Sequence, residues 1–117
     1  MIDKITIAVA DMDSMATFYS ATLSLAFVDV DLMGHTLKSA RDGELEIMLC
    51  PKELAGIEAK INTIQVRFLV PDVRGAYARG LVEGGKDLGE PTELQGCLQA
   101  SLRDPDGNSL ELKQTAT

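Results

Sequence analysis

The chain contains no tryptophan, and its aromatic rings are three phenylalanines and two tyrosines in 117 residues. A platform that stacks bases or sugars needs several exposed rings, so that class of partner is disfavoured. Basic residues are also scarce: eleven Lys and Arg against eighteen Asp and Glu give a net charge of −7, which opposes nucleic acid and anionic membrane. No apolar run approaches the ~20 residues that a membrane-spanning helix needs. There are two cysteines, Cys50 and Cys97, far apart and each in a strand-like run. They are expected to be reduced thiols of a cytoplasmic protein rather than a disulfide. The chain opens directly on a strand pattern, so no signal peptide is expected. A glycine-rich phosphate loop, a nucleophile elbow, a zinc-binding His-Glu helix pair and Cys-x-x-Cys are all absent, which removes support for several catalytic families.

What is present is alternation. Hydrophobic residues make up 45% of the chain, enough for one compact domain or two small fused halves. In residues 2–10, Ile5, Ile7 and Val9 alternate with Lys4, Thr6 and Ala8, the period of a half-buried strand. Asp11 or Asp13 is placed to cap a helix whose stripe is Met15, Phe18, Tyr19 and Thr22. Three strand patterns follow, over residues 26–32, 36–40 and 44–50, with an Asp42-Gly43 turn between the last two. Residues 51–62 break the pattern and read as a linker with one helical turn.

The order then restarts. A shift of 61 places, 5 to 66 and 11 to 72, lays Ile5-Thr-Ile-Ala-Val-Ala-Asp11 on Val66-Arg-Phe-Leu-Val-Pro-Asp72. Val73, Ala76, Tyr77 and Leu81 give a second helical stripe that Gly84-Gly85 terminates. Residues 86–94 form a weak strand that Pro91 confines to an edge, and residues 97–103 form another. The final strand follows Asp104-Pro-Asp-Gly-Asn108, a sequence built for a tight turn. Leaving that turn, Leu110 and Leu112 alternate with Ser109, Glu111 and Lys113. The chain is therefore read as a single domain with module 1 at about 1–50, the linker at 51–62 and module 2 at about 63–114, a half-length repeat.

The duplicated strand-helix-three-strand plan, the strand-Asp-helix opening and the Asp-Pro-Asp-Gly-Asn turn before Leu-Glu-Leu112 resemble the glyoxalase/bleomycin resistance/extradiol dioxygenase superfamily, the vicinal oxygen chelate fold. The resemblance covers nearly the whole chain. It implies an α+β fold of two βαβββ modules that pair curved mixed sheets around a cleft, with helices on the outer face and commonly a homodimer. In metal-dependent members, four strands each supply one ligand, usually His or Gln, Glu, His and Glu. Carried over, the first position falls on Lys4, seven residues before the capping aspartate, and its counterpart in module 2 on Gln65. Glu111 is the last ligand position by motif. Glu46 is assigned by face alone. An ammonium has no lone pair for a cation, so the four-ligand pattern is broken, and no cofactor is expected.

On this reading the residues facing the cleft include Lys4, Thr6, Glu46, Met48, Gln65, Arg67, Gln99, Ser101, Arg103, Ser109 and Glu111. Lys4 is expected to pair with Glu46 or Glu111 and fill the space of a metal. Arg67 and Arg103 are candidates for binding an anionic or carbonyl-bearing small molecule, and Phe27 is the ring placed to reach it. His35, beside the Gly34 turn, is read as a solvated side chain. The function expected is metal-independent binding of a small polar or anionic ligand. The first alternative is a divalent-metal lyase, isomerase or dioxygenase, with Zn, Ni, Mn or Fe on Glu46, Gln65 and Glu111. In an enzyme, Glu111 or Lys4 would be the catalytic base. The second alternative is a non-catalytic assembly subunit.

Overall fold

The computed structural model describes residues 2–56 and 64–115. Residues 57–62 of the expected linker lie outside them. The elements are β1 (Lys4–Val9), α1 (Met12–Leu23), β2 (Val28–Leu32), β3 (His35–Asp42), β4 (Leu45–Pro51), α2 (Lys52–Ala55), β5 (Val66–Val70), α3 (Val73–Val82), β6 (Lys86–Leu94), β7 (Cys97–Arg103) and β8 (Ser109–Gln114). They form two mixed four-stranded sheets with matching orders, β1-β4-β3-β2 and β5-β8-β7-β6. This is the α+β pair of βαβββ modules that the sequence pattern implies.

The repeat extends to local chemistry. Asp11 caps α1 by accepting from the Ser14 amide at 3.2 Å, and Asp72 caps α3 by accepting from the Gly75 amide at 3.1 Å. Register carries the correspondence further. Thr6 pairs with Met48, and Arg67, its counterpart 61 places on, pairs with Glu111. From the other side, Ser39 pairs with Met48 and Ser101 with Glu111. Each module also clamps its turn with an arginine: Arg41 Nη2 donates to the Glu44 carbonyl at 2.8 Å, and Arg103 Nη1 to the Gly107 carbonyl at 2.9 Å.

Each helix covers one face of its own sheet, and the two helices pack on each other, making one continuous core. Phe18 and Tyr19 of α1, Ile47 and Leu49 of β4, Phe68 and Val70 of β5, and Leu102, Leu110 and Leu112 of module 2 are all within it. The helix crossing is close because Gly80 has no side chain. A Cβ there would lie 2.8 Å from Thr22 Oγ1 and 3.0 Å from Leu102 Cδ1.

The modules are also tied by a buried carboxylate. Asp104, 2% exposed, organises the turn after β7. Its Oδ1 accepts from the amides of Asp106 and Asn108, at 3.0 and 2.9 Å. Its Oδ2 accepts from Asn108 Nδ2 at 2.9 Å and from the Tyr19 hydroxyl of α1 at 2.8 Å. Asp106 Oδ2 accepts from the Ala10 amide at 3.1 Å, a second bond from this turn to module 1. Burial pushes the Asp104 carboxyl above its ordinary value, against the hydrogen bonds that pull it down. Burial and the neighbouring carboxylate push the Tyr19 phenol well up.

Tyr19→Phe removes one bond and strands an oxygen lone pair, and is expected to cost about 1–2 kcal/mol in urea unfolding. Asp104→Ala strands several donors and should cost about 3 kcal/mol or more. Because the folded carboxyl titrates above the unfolded one, its contribution is full below about pH 4 and is lost as pH rises through the folded value. Asp104→Asn, which cannot ionise, should lack that component. An identical pH dependence in the two proteins would contradict the assignment.

Candidate functional site

The sheet faces opposite α1 and α3 are partly open; on that of module 1, Leu37, Ser39 and Cys50 are nonetheless buried. Residues paired in register lie on the same face. In module 1 the pairings place Lys4, Thr6, Glu46, Met48, Leu37, Ser39 and Arg41 on the open side. In module 2 they place Arg67, Glu111, Lys113, Gln99, Ser101, Arg103 and Ser109 there. Gln65 joins this group through its Nε2, which donates to Ser109 Oγ at 3.0 Å. The expected cleft residues, Phe27 apart, therefore share open faces. They divide between two sheets, Lys4 and Glu46 on one and Gln65, Arg67, Gln99, Ser101, Arg103 and Glu111 on the other.

Phe27 is the exception. It packs against the common core and lines a groove of about 360 Å³ on the helix side, with Ala16, Thr17, Ser20, Ala21 and Lys38. It precedes β2, and the alternation that puts Val28 on the open face puts Phe27 on the other. His35 is exposed at the start of β3, paired with Leu32 at the hairpin tip.

The charge pairing also differs from expectation. Lys4 is exposed and, among the described residues, forms no ion pair with Glu46 or Glu111. Glu111 lies 3.5 Å from Arg67 Nε, with side-chain exposures of 31% and 46%. Glu46 accepts from the Ser39 hydroxyl at 2.7 Å. Lys4 is opposite Glu46 in backbone register, but each carboxylate has a nearer partner on its own sheet. Arg103 is likewise committed, half-buried with its Nη1 on the turn carbonyl.

The register decides which positions correspond to a metal site. If Glu111 is the ligand position of module 2, its module 1 counterpart is Met48, not Glu46; Glu46 corresponds to Ser109. The four positions thus hold Lys4, Met48, Gln65 and Glu111. A cation and a thioether in module 1 do not fit a hard or borderline divalent ion, and Glu111 is already beside a guanidinium. Among the described residues no group of three or more His, Cys, Asp or Glu side chains converges. The sequence alone does not separate Glu46 from Met48, for a physical reason. Strand periodicity is two, so Leu45-Glu-Ile47 mimics Leu110-Glu-Leu112, and only cross-strand partners distinguish Glu46 from Met48.

The sequence pattern also left out the open-face residues of β2. Val28 pairs with Ser39 and Val30 with Leu37, so this strand turns its valines to the open side. Val28 and Leu32 are 62% and 48% exposed, and Leu69 and Leu94 of module 2 are 63% and 54% exposed. Asp29 faces the other way and holds Lys38 at 2.7 Å.

The family model described as Glyoxalase/Bleomycin resistance protein/Dioxygenase superfamily matches residues 1–112, and the chain belongs to that superfamily. Solved structures agree in fold. A glyoxalase-related enzyme from Fulvimarina pelagi superposes with a TM-score of 0.79 at 18% identity, covering 98% of this chain and 88% of that one. A glyoxalase/bleomycin resistance protein from Albidiferax ferrireducens T118 gives 0.77 at 24% identity, with 98% of both chains covered. TnmS3, an antibiotic binding protein from Streptomyces sp. CB03234, gives 0.73 at 19% identity, covering 99% and 96%. No curated protein sequence matches the chain.

Arg67 and Arg103 separate by role. Arg103→Ala should lower stability by about 1 kcal/mol through the lost turn bond. Arg67→Ala should change it by less than about 0.5 kcal/mol, as expected for a half-exposed ion pair. Chemical denaturation of both variants checks the pair, and equal losses would contradict the distinction.

Proposed function

We propose that this chain binds a small polar or anionic molecule without a resident metal, in a cleft walled by the open sheet faces. The observation that carries the reading is the register equivalence of Lys4, Met48, Gln65 and Glu111. Two of the four positions offer no suitable donor, and both lie in module 1. Arg67, with one long contact to Glu111, has its terminal nitrogens available for a ligand carboxylate or carbonyl. TnmS3, which shares this fold, is an antibiotic binding protein, and ligand capture on the same scaffold supports the reading.

Two copies of the chain are proposed to close the cleft, module 1 of one over module 2 of the other. The support is the exposed apolar side chains that each sheet carries away from α1 and α3: Val28 and Leu32 on one, Leu69 and Leu94 on the other. The two sheets share no substantial contact with one another, whereas α1 and α3 pack together. Sedimentation of wild type is expected to give a dimer. Val28→Lys combined with Leu69→Lys should weaken it at least about tenfold, consistent with charges placed in an apolar interface; a monomeric wild type would contradict the arrangement.

The metal reading has its own test. Purified wild type dialysed against Zn²⁺, Ni²⁺, Mn²⁺ or Fe²⁺ should retain far less than one ion per chain by elemental analysis. Lys4→His with Met48→Glu should then gain a stoichiometric ion. Stoichiometric metal in wild type, lost in Glu111→Ala, would overturn the reading. No gain in the double variant would contradict the register equivalence.

A further inference from the structure

The two open faces differ in chemistry. Helix α1 covers β4 and reaches β3 but makes no substantial contact with β2. The helix-side face of β2 is therefore solvated and carries Asp29 and Asp31, both exposed. Strand alternation then sends Val28, Val30 and Leu32 to the open face, where half-buried Met48 of β4 continues the apolar surface, while Leu37 of β3 on the same face is buried at 1% exposure. Module 2 presents the opposite character. On β5, β7 and β8 its open face carries Arg67, Arg103 and Lys113 against the single carboxylate of Glu111. That is a net positive surface in a chain of net charge −7. Gln65, Gln99 and Ser101 add uncharged donors around it.

We propose that the ligand is an amphipathic monoanion, a carboxylate carried on an extended apolar body. This rests on the reading of the two faces as walls of one cleft. The body lies along Val30 and Met48, half-buried side chains of this face, where it replaces water. The head lies against Arg67. Arg103 gives one nitrogen to its own turn, and Arg67 is the more exposed of the two. Glu111 beside Arg67 favours a singly charged head, because a dianionic phosphate would place two further negative charges next to a carboxylate.

The test is calorimetric titration of the purified chain with acetate, butyrate, hexanoate and octanoate, and with octanamide as the uncharged counterpart of octanoate. Affinity is expected to rise by about tenfold for each two added methylenes, the increment for burying them. Octanamide is expected to bind at least about tenfold more weakly than octanoate, as loss of a charge-assisted bond implies. Arg67→Ala should remove the preference for octanoate over octanamide but keep the chain-length dependence. Val30→Thr, close in volume, should reduce the chain-length dependence but keep the preference for charge. Acetate binding as tightly as octanoate, with loss in Arg67→Ala, would overturn the apolar body and leave the anion-binding function standing. Octanamide binding equal to octanoate would overturn the anionic head. No binding by any member of the series would overturn both this proposal and the anionic-ligand reading.

Discussion

A hydroxyl from the first module meets a carboxylate from the second inside the core, and the relative placement of the halves follows from that contact. Tyr19 stands in the common core, its ring edge-on to Phe18 with centroids 5.0 Å apart and near Phe68 at 6.5 Å. A phenol there needs a partner, since an unpaired buried polar group is costly. Asp104 supplies it while also gathering two amides and a carboxamide from its own turn. One side chain thus shapes the turn before β8 and fastens that turn to α1. The helix contact through Gly80 and the bond from Ala10 to Asp106 act in the same place.

Fastening the modules along their helices leaves much of the other face of each sheet exposed among the described residues. These faces carry the polar and charged positions of β1, β4, β5, β7 and β8, and they also carry the valines of β2. The distribution is asymmetric. At the four register-equivalent positions, module 2 has an amide and a carboxylate, whereas module 1 has an ammonium and a thioether. The two halves thus share a fold but differ in donor chemistry, because scaffold and site are specified by different residues.

Much of this was legible in the sequence because it is local. Strand alternation, the capping aspartates Asp11 and Asp72, the edge-strand Pro91 and the turn from Asp104 to Asn108 each act over a few residues. The features that were not legible depend on distant partners. Tyr19 and Asp104 are 85 positions apart. Glu46 and Met48 have the same strand parity, so only pairing with Thr6 and Ser39 assigns Met48 to the Glu111 position. The open-face valines of β2 depend on how far α1 extends, which no local pattern encodes. Alternation alone marks Arg103 as an open-face ligand group, because its turn carbonyl acceptor cannot be read from spacing.

The claim on which the functional account rests is that no divalent ion bridges the two modules' open faces. Anomalous diffraction from crystals grown with excess Ni²⁺ or Zn²⁺ tests it most directly. The account predicts no anomalous peak within bonding distance of both Gln65 and Glu111, with Arg67 still beside Glu111. A peak ligated by both residues together with a donor from module 1 would contradict it.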